Sequence, residues 1–84
     1  MPEQLNTRVE VCYQQAEAFF KRPFKRPIVS LKLRGQKAGV AHLHENLLRF
    51  NPQLYQENAE DFLRQTVAHE VAHLIAHQLF GDRI

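Results

Sequence analysis

Cysteine is almost absent from this sequence of 84 residues, and Cys12 is the only one. An intrachain disulfide is therefore excluded, and so is a zinc site built from several cysteines of this chain. A lone cysteine at an apolar helical position is most often a small core residue, and we expect Cys12 to be one.

The sequence also lacks membrane and export signals. No apolar run approaches the ~20 residues that span a bilayer, and the start, MPEQLNTRVE, has no basic-then-apolar pattern typical of a secretory signal. With 44% hydrophobic and 24% charged residues, the composition is that of a globular protein. We therefore expect a cytoplasmic protein with no membrane partner, consisting of one small domain or part of one.

Acidic residues are missing between positions 18 and 44, where seven basic residues lie. The net charge of +2 therefore combines +7 in this segment with −5 elsewhere. Such a segment predicts a basic surface for nucleic acid, and the alternative is a solvated loop with an exposed strand face. Both interpretations stand, and the candidate nucleic-acid-binding residues are Lys21, Arg22, Lys25, Arg26, Lys32, Arg34 and Lys37.

The first twenty residues have the periodicity of an amphipathic helix. Its apolar positions, spaced by three and four, are Leu5, Val9, Cys12, Ala16 and Phe19. The helix should end near Phe20, because Pro23 cannot continue it. The tandem repeat FKRPFKRP that follows, residues 20–27, predicts an extended basic connector.

Three short strands are predicted next, at residues 27–33, 38–43 and 47–50. Few residues separate the last two, which favours a hairpin. Asn51 and Pro52 should close the third strand, since proline cannot donate to a ladder.

A long helix is predicted from Asn58 to Phe80, with Gly81 as its stop. Asn58 followed by Asp61 resembles a capping box. The order of helix, three strands and helix predicts an α+β fold with a small three-stranded sheet.

The last helix contains polar residues in an apolar context, within the stretch TVAHEVAHLIAHQLF at residues 66–80. His69 and His73 are four residues apart, so both imidazoles can reach one ion at the ~2.0–2.1 Å of zinc–nitrogen bonds. Glu70 lies beside this pair and can hold a metal-bound water. The pattern predicts His69 and His73 as metal ligands and Glu70 as the catalytic base.

Two alternatives concern the histidines. His69 and His73 could instead be core residues satisfied by hydrogen bonds, although each unsatisfied buried group would cost about 1–3 kcal/mol. His77 lies about 12 Å of helix rise from His69, so a straight helix cannot bring all three to one ion. We expect His77 at the cleft edge or exposed.

Several short motifs accompany this helix. They are Arg34-Gly35, Ala38-Gly39, Ala41, Leu48-Arg49-Phe50-Asn51-Pro52, Leu54, His69-Glu70-Val71-Ala72-His73-Leu74 and Phe80-Gly81. With these motifs the chain resembles the SprT family, the bacterial relatives of Spartan-type DNA–protein crosslink proteases, from about residue 5 to the end. Many members of the family have tryptophan where His42 stands here.

This resemblance implies a zincin-like α+β fold that is incomplete here. His69 and His73 would bind one Zn²⁺, Glu70 would act as the base, and the third ligand would be a histidine beyond residue 84. Residues 1–84 would then be the N-terminal part of a single domain, which alone binds zinc weakly and has no peptidase activity. The strand at residues 38–43 would border the cleft, where an extended substrate could add as another strand.

Three functional hypotheses follow. The first is a zinc metallopeptidase that hydrolyses peptide bonds, acting on proteins associated with DNA. The second is a non-catalytic, DNA-associated or regulatory module with structural zinc. The third is a small α+β domain that retains the motif without its function.

Overall fold

The structure is a computed structural model that describes residues 3–81. It contains an N-terminal helix, a three-stranded sheet and a C-terminal helical region, which confirms the predicted α+β class. The elements are α1 (Glu3–Phe20), β1 (Ile28–Ser30), β2 (Gly39–His42), β3 (Leu47–Phe50), α2 (Pro52–Glu57), α3 (Ala59–Asp61), a π-helical turn (Phe62–Thr66) and α4 (Val67–Phe80). Within residues 3–81, no helix is long and apolar enough to cross a membrane.

The sheet has the order β1-β3-β2. β2 and β3 form the predicted antiparallel hairpin, in which Gly39 pairs with Phe50 and His42 with Leu47. β1 joins the other side of β3 in parallel. Among residues 3–81, β2 is therefore an edge strand, and one of its edges pairs with no other strand.

The first helix ends at Phe20, as the sequence predicted. Lys21 leaves the helix in a left-handed conformation with φ of 58°, and its N–H donates to the carbonyl of Glu17. Leu5, Val9 and Tyr13 form the buried face of α1. These residues pack into a core with the apolar faces of β3 and α4.

Helix α2 was not predicted, and Asn51 accounts for it. The Oδ1 atom of Asn51 accepts hydrogen bonds from the N–H groups of Gln53 and Leu54, and Pro52 occupies the first helical turn, where its missing N–H costs nothing. Asn58 is the N-cap residue of α3, as predicted, but its side chain makes no capping hydrogen bond, so the predicted capping box does not form.

The long C-terminal helix is interrupted by the π turn at Phe62–Thr66, which the sequence prediction lacked. The Val67 N–H donates to the carbonyl of Phe62, five residues back. In a regular α-helix, the side chains of Phe62 and Val67 would point about 140° apart around the helix axis. The wider π turn lets both side chains lie in the core. Arg8 from α1 supports the turn, because its Nε donates to the Leu63 carbonyl at 3.2 Å.

The connector between α1 and β1 is attached to α4 through Gln78. The Lys25 N–H donates to Gln78 Oε1, and Gln78 Nε2 donates to the Lys25 carbonyl, both at 2.9 Å. These two hydrogen bonds attach the connector to α4, whereas the sequence predicted only an extended basic connector.

Candidate metal centre and cleft

His69 and His73 lie on successive turns of α4, and their rings converge. The two Nε2 atoms are 3.1 Å apart, and the ring centroids are 4.7 Å apart with the planes nearly perpendicular. Both side chains are exposed. They therefore present two imidazole nitrogens to the same point in front of the helix.

This pair has the spacing expected of two ligands on one zinc ion. Nitrogens bound at ~2.0–2.1 Å with a tetrahedral angle between them lie about 3.3 Å apart. Residues 3–81 contain no group of three or more His, Cys, Asp or Glu side chains that could hold a metal ion. The two imidazoles fit zinc, but they form only part of a site, since a catalytic zinc usually has three protein ligands.

Glu70 lies beside the pair, half-buried between α4 and β2. It approaches the strand at Gly39, where an added Cβ would be only 3.0 Å from Glu70 Cγ. Gly39 is a functional candidate that sequence analysis missed. A glycine inside a strand was the available signal, because it often marks a close approach.

The space between β2 and α4 is an open cleft of about 420 Å³. Its walls come mainly from small and apolar residues of the edge strand, with Glu70 and His73 opposite. The lining residues are Lys37, Ala38, Gly39, Val40, Ala41, Leu43, Glu70 and His73. α4 runs in the same direction as β2. Thr66, just before α4, and Glu70, in its first turn, lie near Gly39, the first residue of β2.

His77 lies apart from the converging pair. Its ring packs edge-to-face against that of His44, in the turn after β2, with centroids 5.2 Å apart. The side chain is half-buried. His77 therefore belongs to the contact between the hairpin turn and the end of α4.

The seven basic residues do not form one surface. Three precede β1 and lie toward the sheet end at Ile28 and Leu47, whereas three follow β1 and lie toward the opposite end, at Ser30 and Gly39. These six side chains are exposed, and the two groups are Lys21, Arg22 and Lys25, and Lys32, Arg34 and Lys37.

Arg26, the seventh, is bound within the protein. Its five N–H donors bond two carboxylates of α1, Glu10 and Glu17, and the carbonyl of Phe24, at 2.6 to 3.2 Å. Its guanidinium also lies 5.0 Å from the centre of the Tyr13 ring. A nucleic-acid surface would therefore rely on the other six residues.

The Arg26 cluster shifts the titration of its acidic partners. Hydrogen bonds from Arg26, and then from the Phe24 N–H, lower the pKa of Glu17 to about 2. Glu10 also has a lowered pKa, mainly through its hydrogen bond to Arg26. Cys12 is half-buried against the core, as expected, and burial raises the pKa of its thiol.

Comparison with known proteins connects this arrangement to a family. The model of the SprT-like family matches residues 9–84. Curated relatives, each called Protein SprT, are 89% identical in Pseudomonas fluorescens strain Pf-5, 87% in Pseudomonas syringae pv. syringae and 86% in Pseudomonas savastanoi pv. phaseolicola. Each alignment covers 100% of this chain and 51% of the relative, so the chain spans about half the length of these relatives. No solved structure matches the chain. Because the family match extends over most of the sequence, the chain belongs to the SprT-like family.

Proposed function

We propose that this chain carries the central part of a zinc-dependent peptidase site. The observation that supports the proposal most strongly is the 3.1 Å separation of His69 Nε2 and His73 Nε2, beside a glutamate that lines a cleft. A cytoplasmic location and a protein substrate belong to the same proposal.

In this proposal, His69 and His73 would hold one Zn²⁺, and the bound ion would supply Lewis-acid chemistry to water and to the scissile carbonyl. Glu70 accepts the proton of the attacking water on a carboxylate oxygen and delivers it to the leaving nitrogen. Its half-buried position beside β2 limits the directions in which the carboxylate can point.

The edge strand provides the substrate wall of the proposed site. β2 pairs with β3 on one side, and its residues line the cleft opposite Glu70 and His73. An extended peptide can add to such an edge through main-chain hydrogen bonds. The small residues Ala38, Gly39 and Ala41 leave room for a peptide backbone, so we propose extended segments of proteins as substrates.

The test uses a chimera. In it, this chain replaces the 84 matching residues of the Pseudomonas fluorescens Pf-5 relative. We expect Glu70→Gln to lower kcat for an unstructured protein substrate by roughly 10²–10⁴-fold, because the base is lost. Zinc content should remain at the parent level, since neither imidazole changes. Metal analysis and peptide release measure the two quantities.

The matched control is Glu60→Gln, which removes an exposed carboxylate from α3. It should retain the activity of the parent chimera. Equal activity of Glu70→Gln and the parent would refute the assignment of Glu70. A site with structural zinc would instead be closed by four protein ligands, without exchangeable water.

We also propose that the six exposed basic residues contact DNA phosphates as two separate groups, one toward each end of the sheet. Log affinity for duplex DNA should then fall with log salt, by about 0.9 for each phosphate contacted. Two triple variants test this in fluorescence anisotropy titrations. One replaces Lys21, Arg22 and Lys25 by glutamine, and the other replaces Lys32, Arg34 and Lys37. Each variant should reduce the slope of log affinity against log salt. Arg64→Gln, outside the segment, is the control, and identical slopes in all variants would exclude the proposed contacts.

A further inference from the structure

At Gly39, β2 lies close to α4 and to the π turn. A Cβ at this position would lie 3.0 Å from Glu70 Cγ, 3.1 Å from Phe50 Cδ1 and 3.1 Å from Thr66 Cγ2. The backbone of Gly39 lies in β2 and does not have a positive φ. Alanine would therefore fit the backbone, and its effect would arise from these three contacts.

The three neighbours differ in their freedom to move. Phe50 is fully buried in the core, where close packing resists displacement of a ring. Thr66 is β-branched, so its methyl group has few alternative positions. Glu70 is only half-buried and its chain can rotate, so a methyl group at position 39 would displace Glu70 first.

We propose that Gly39 is a positioning residue for the Glu70 carboxylate. The absence of a side chain at position 39 lets the Cγ of Glu70 lie against β2, which directs its carboxyl group into the cleft. This inference rests on the proposed function, in which Glu70 transfers the proton.

The π turn contributes to the same arrangement. Thr66 is its last residue, and its Cγ2 borders the space where the Cβ would lie. Replacing threonine by serine removes this methyl group. This removes one of the three close contacts of an added Cβ, so that alanine at position 39 could move away from Glu70, which provides a rescue variant.

The experiment compares Gly39→Ala, alone and with Thr66→Ser, in the SprT chimera. Gly39→Ala should lower kcat at least tenfold and leave KM within about threefold, since small misplacements of reacting groups cost up to ~10² in rate. Zinc content and Tm should stay near the parent values, and a crystal structure should show Glu70 Cγ displaced from its parent position. Adding Thr66→Ser should restore part of kcat.

Gly35→Ala is the matched control for a general loss of stability. Gly35 has φ of 95° and no atom within 4 Å of an added Cβ, so alanine there strains the backbone without contacting Glu70. This control should lower Tm and keep the kcat of the folded enzyme.

The outcomes separate the inference from the proposed function. An unchanged kcat in Gly39→Ala, or a loss that Thr66→Ser does not relieve, would overturn the positioning role while the parent chimera remains active. A parent chimera that contains zinc and hydrolyses no peptide would refute the proposed function, and the inference would fail with it.

Discussion

Asn51 shows how one buried polar side chain connects three segments. Its Oδ1 caps α2, and its Nδ2 donates to the carbonyls of Gly35 and Lys37 at 3.0 and 3.2 Å. The residue is 1% exposed, so water cannot replace these bonds. Asn51 therefore fixes the loop before β2 relative to the end of β3.

The variant Asn51→Ala should lower the free energy of unfolding by about 1–3 kcal/mol, because the cap of α2 is lost and the carbonyls of Gly35 and Lys37 lose a donor. Urea unfolding followed by circular dichroism measures the change. Asn58→Ala is the control, since that exposed side chain makes no capping bond and its loss should cost less than about 0.5 kcal/mol. Similar decreases in the free energy of unfolding in both variants would show that the hydrogen bonds of Asn51 stabilise the fold no more than the exposed Asn58 side chain does.

The pKa of Glu17 predicts how stability depends on pH. Its folded value of about 2 lies below the ordinary value of 4.5, so the folded state favours the ionised carboxylate. This stabilisation is present above pH 4.5 and decreases as the pH falls toward about 2. Glu17→Gln should therefore weaken the pH dependence of the urea midpoint in this window. Glu57→Gln, which removes an exposed carboxylate, is the control; an unchanged profile in Glu17→Gln would contradict the prediction.

Single residues differ in how far the sequence alone could predict them. The convergence of His69 and His73 follows from helix geometry, because residues four apart share a face. The close approach at Gly39 and the bonds of Asn51 depend on segments brought together from distant parts of the chain. Neither could be predicted from local spacing, although glycine in a strand and asparagine before proline were signals.

The π turn sets the rotation of α4 relative to the helical residues before it. It places one extra residue between Phe62 and Val67 compared with an α-helical turn, and both remain in the core. Removing that extra residue should convert the turn to α-helix and keep the two buried faces aligned.

Deletion of Gln65, which is exposed in the π turn, should therefore leave a folded protein with a modest decrease in Tm. Deletion of Ala72, exposed in α4, should rotate Leu74 and Ile75 by about 100° out of the core and unfold the chain. Circular dichroism melting compares the two. An equal decrease in Tm in both deletion variants would show that the π turn does not tolerate the loss of a residue better than α4 does.

The strands show why element lengths were less predictable than element types. The β3 bounds were predicted correctly, since Pro52 follows directly. β1 was predicted at residues 27–33 but covers only Ile28–Ser30. Its register pairs these three residues with Leu47–Arg49 and stops one residue before the end of β3. Alternation in the sequence could not reveal where the pairing between the two strands stops.

The described residues provide two converging imidazoles, His69 and His73, which we propose as zinc ligands. We expect the Kd of the 84-residue chain for zinc to exceed about 1 μM. Two ligands should bind zinc more weakly than the four ligands of closed sites, whose binding free energies reach about 10–16 kcal/mol. Isothermal titration calorimetry measures this affinity, and His73→Ala should reduce it further. Tight binding of one zinc per chain would contradict the prediction.

The attachment of the connector has a consequence for the tandem repeat FKRPFKRP. Its two copies have the same four letters but different surroundings: Phe20 is 43% exposed and Phe24 is 6% exposed. Arg22 has a guanidinium 5.4 Å from the Phe24 ring, whereas Arg26 bonds to two carboxylates of α1. A saturation library across residues 20–27 should therefore accept many substitutions in the first copy and few in the second.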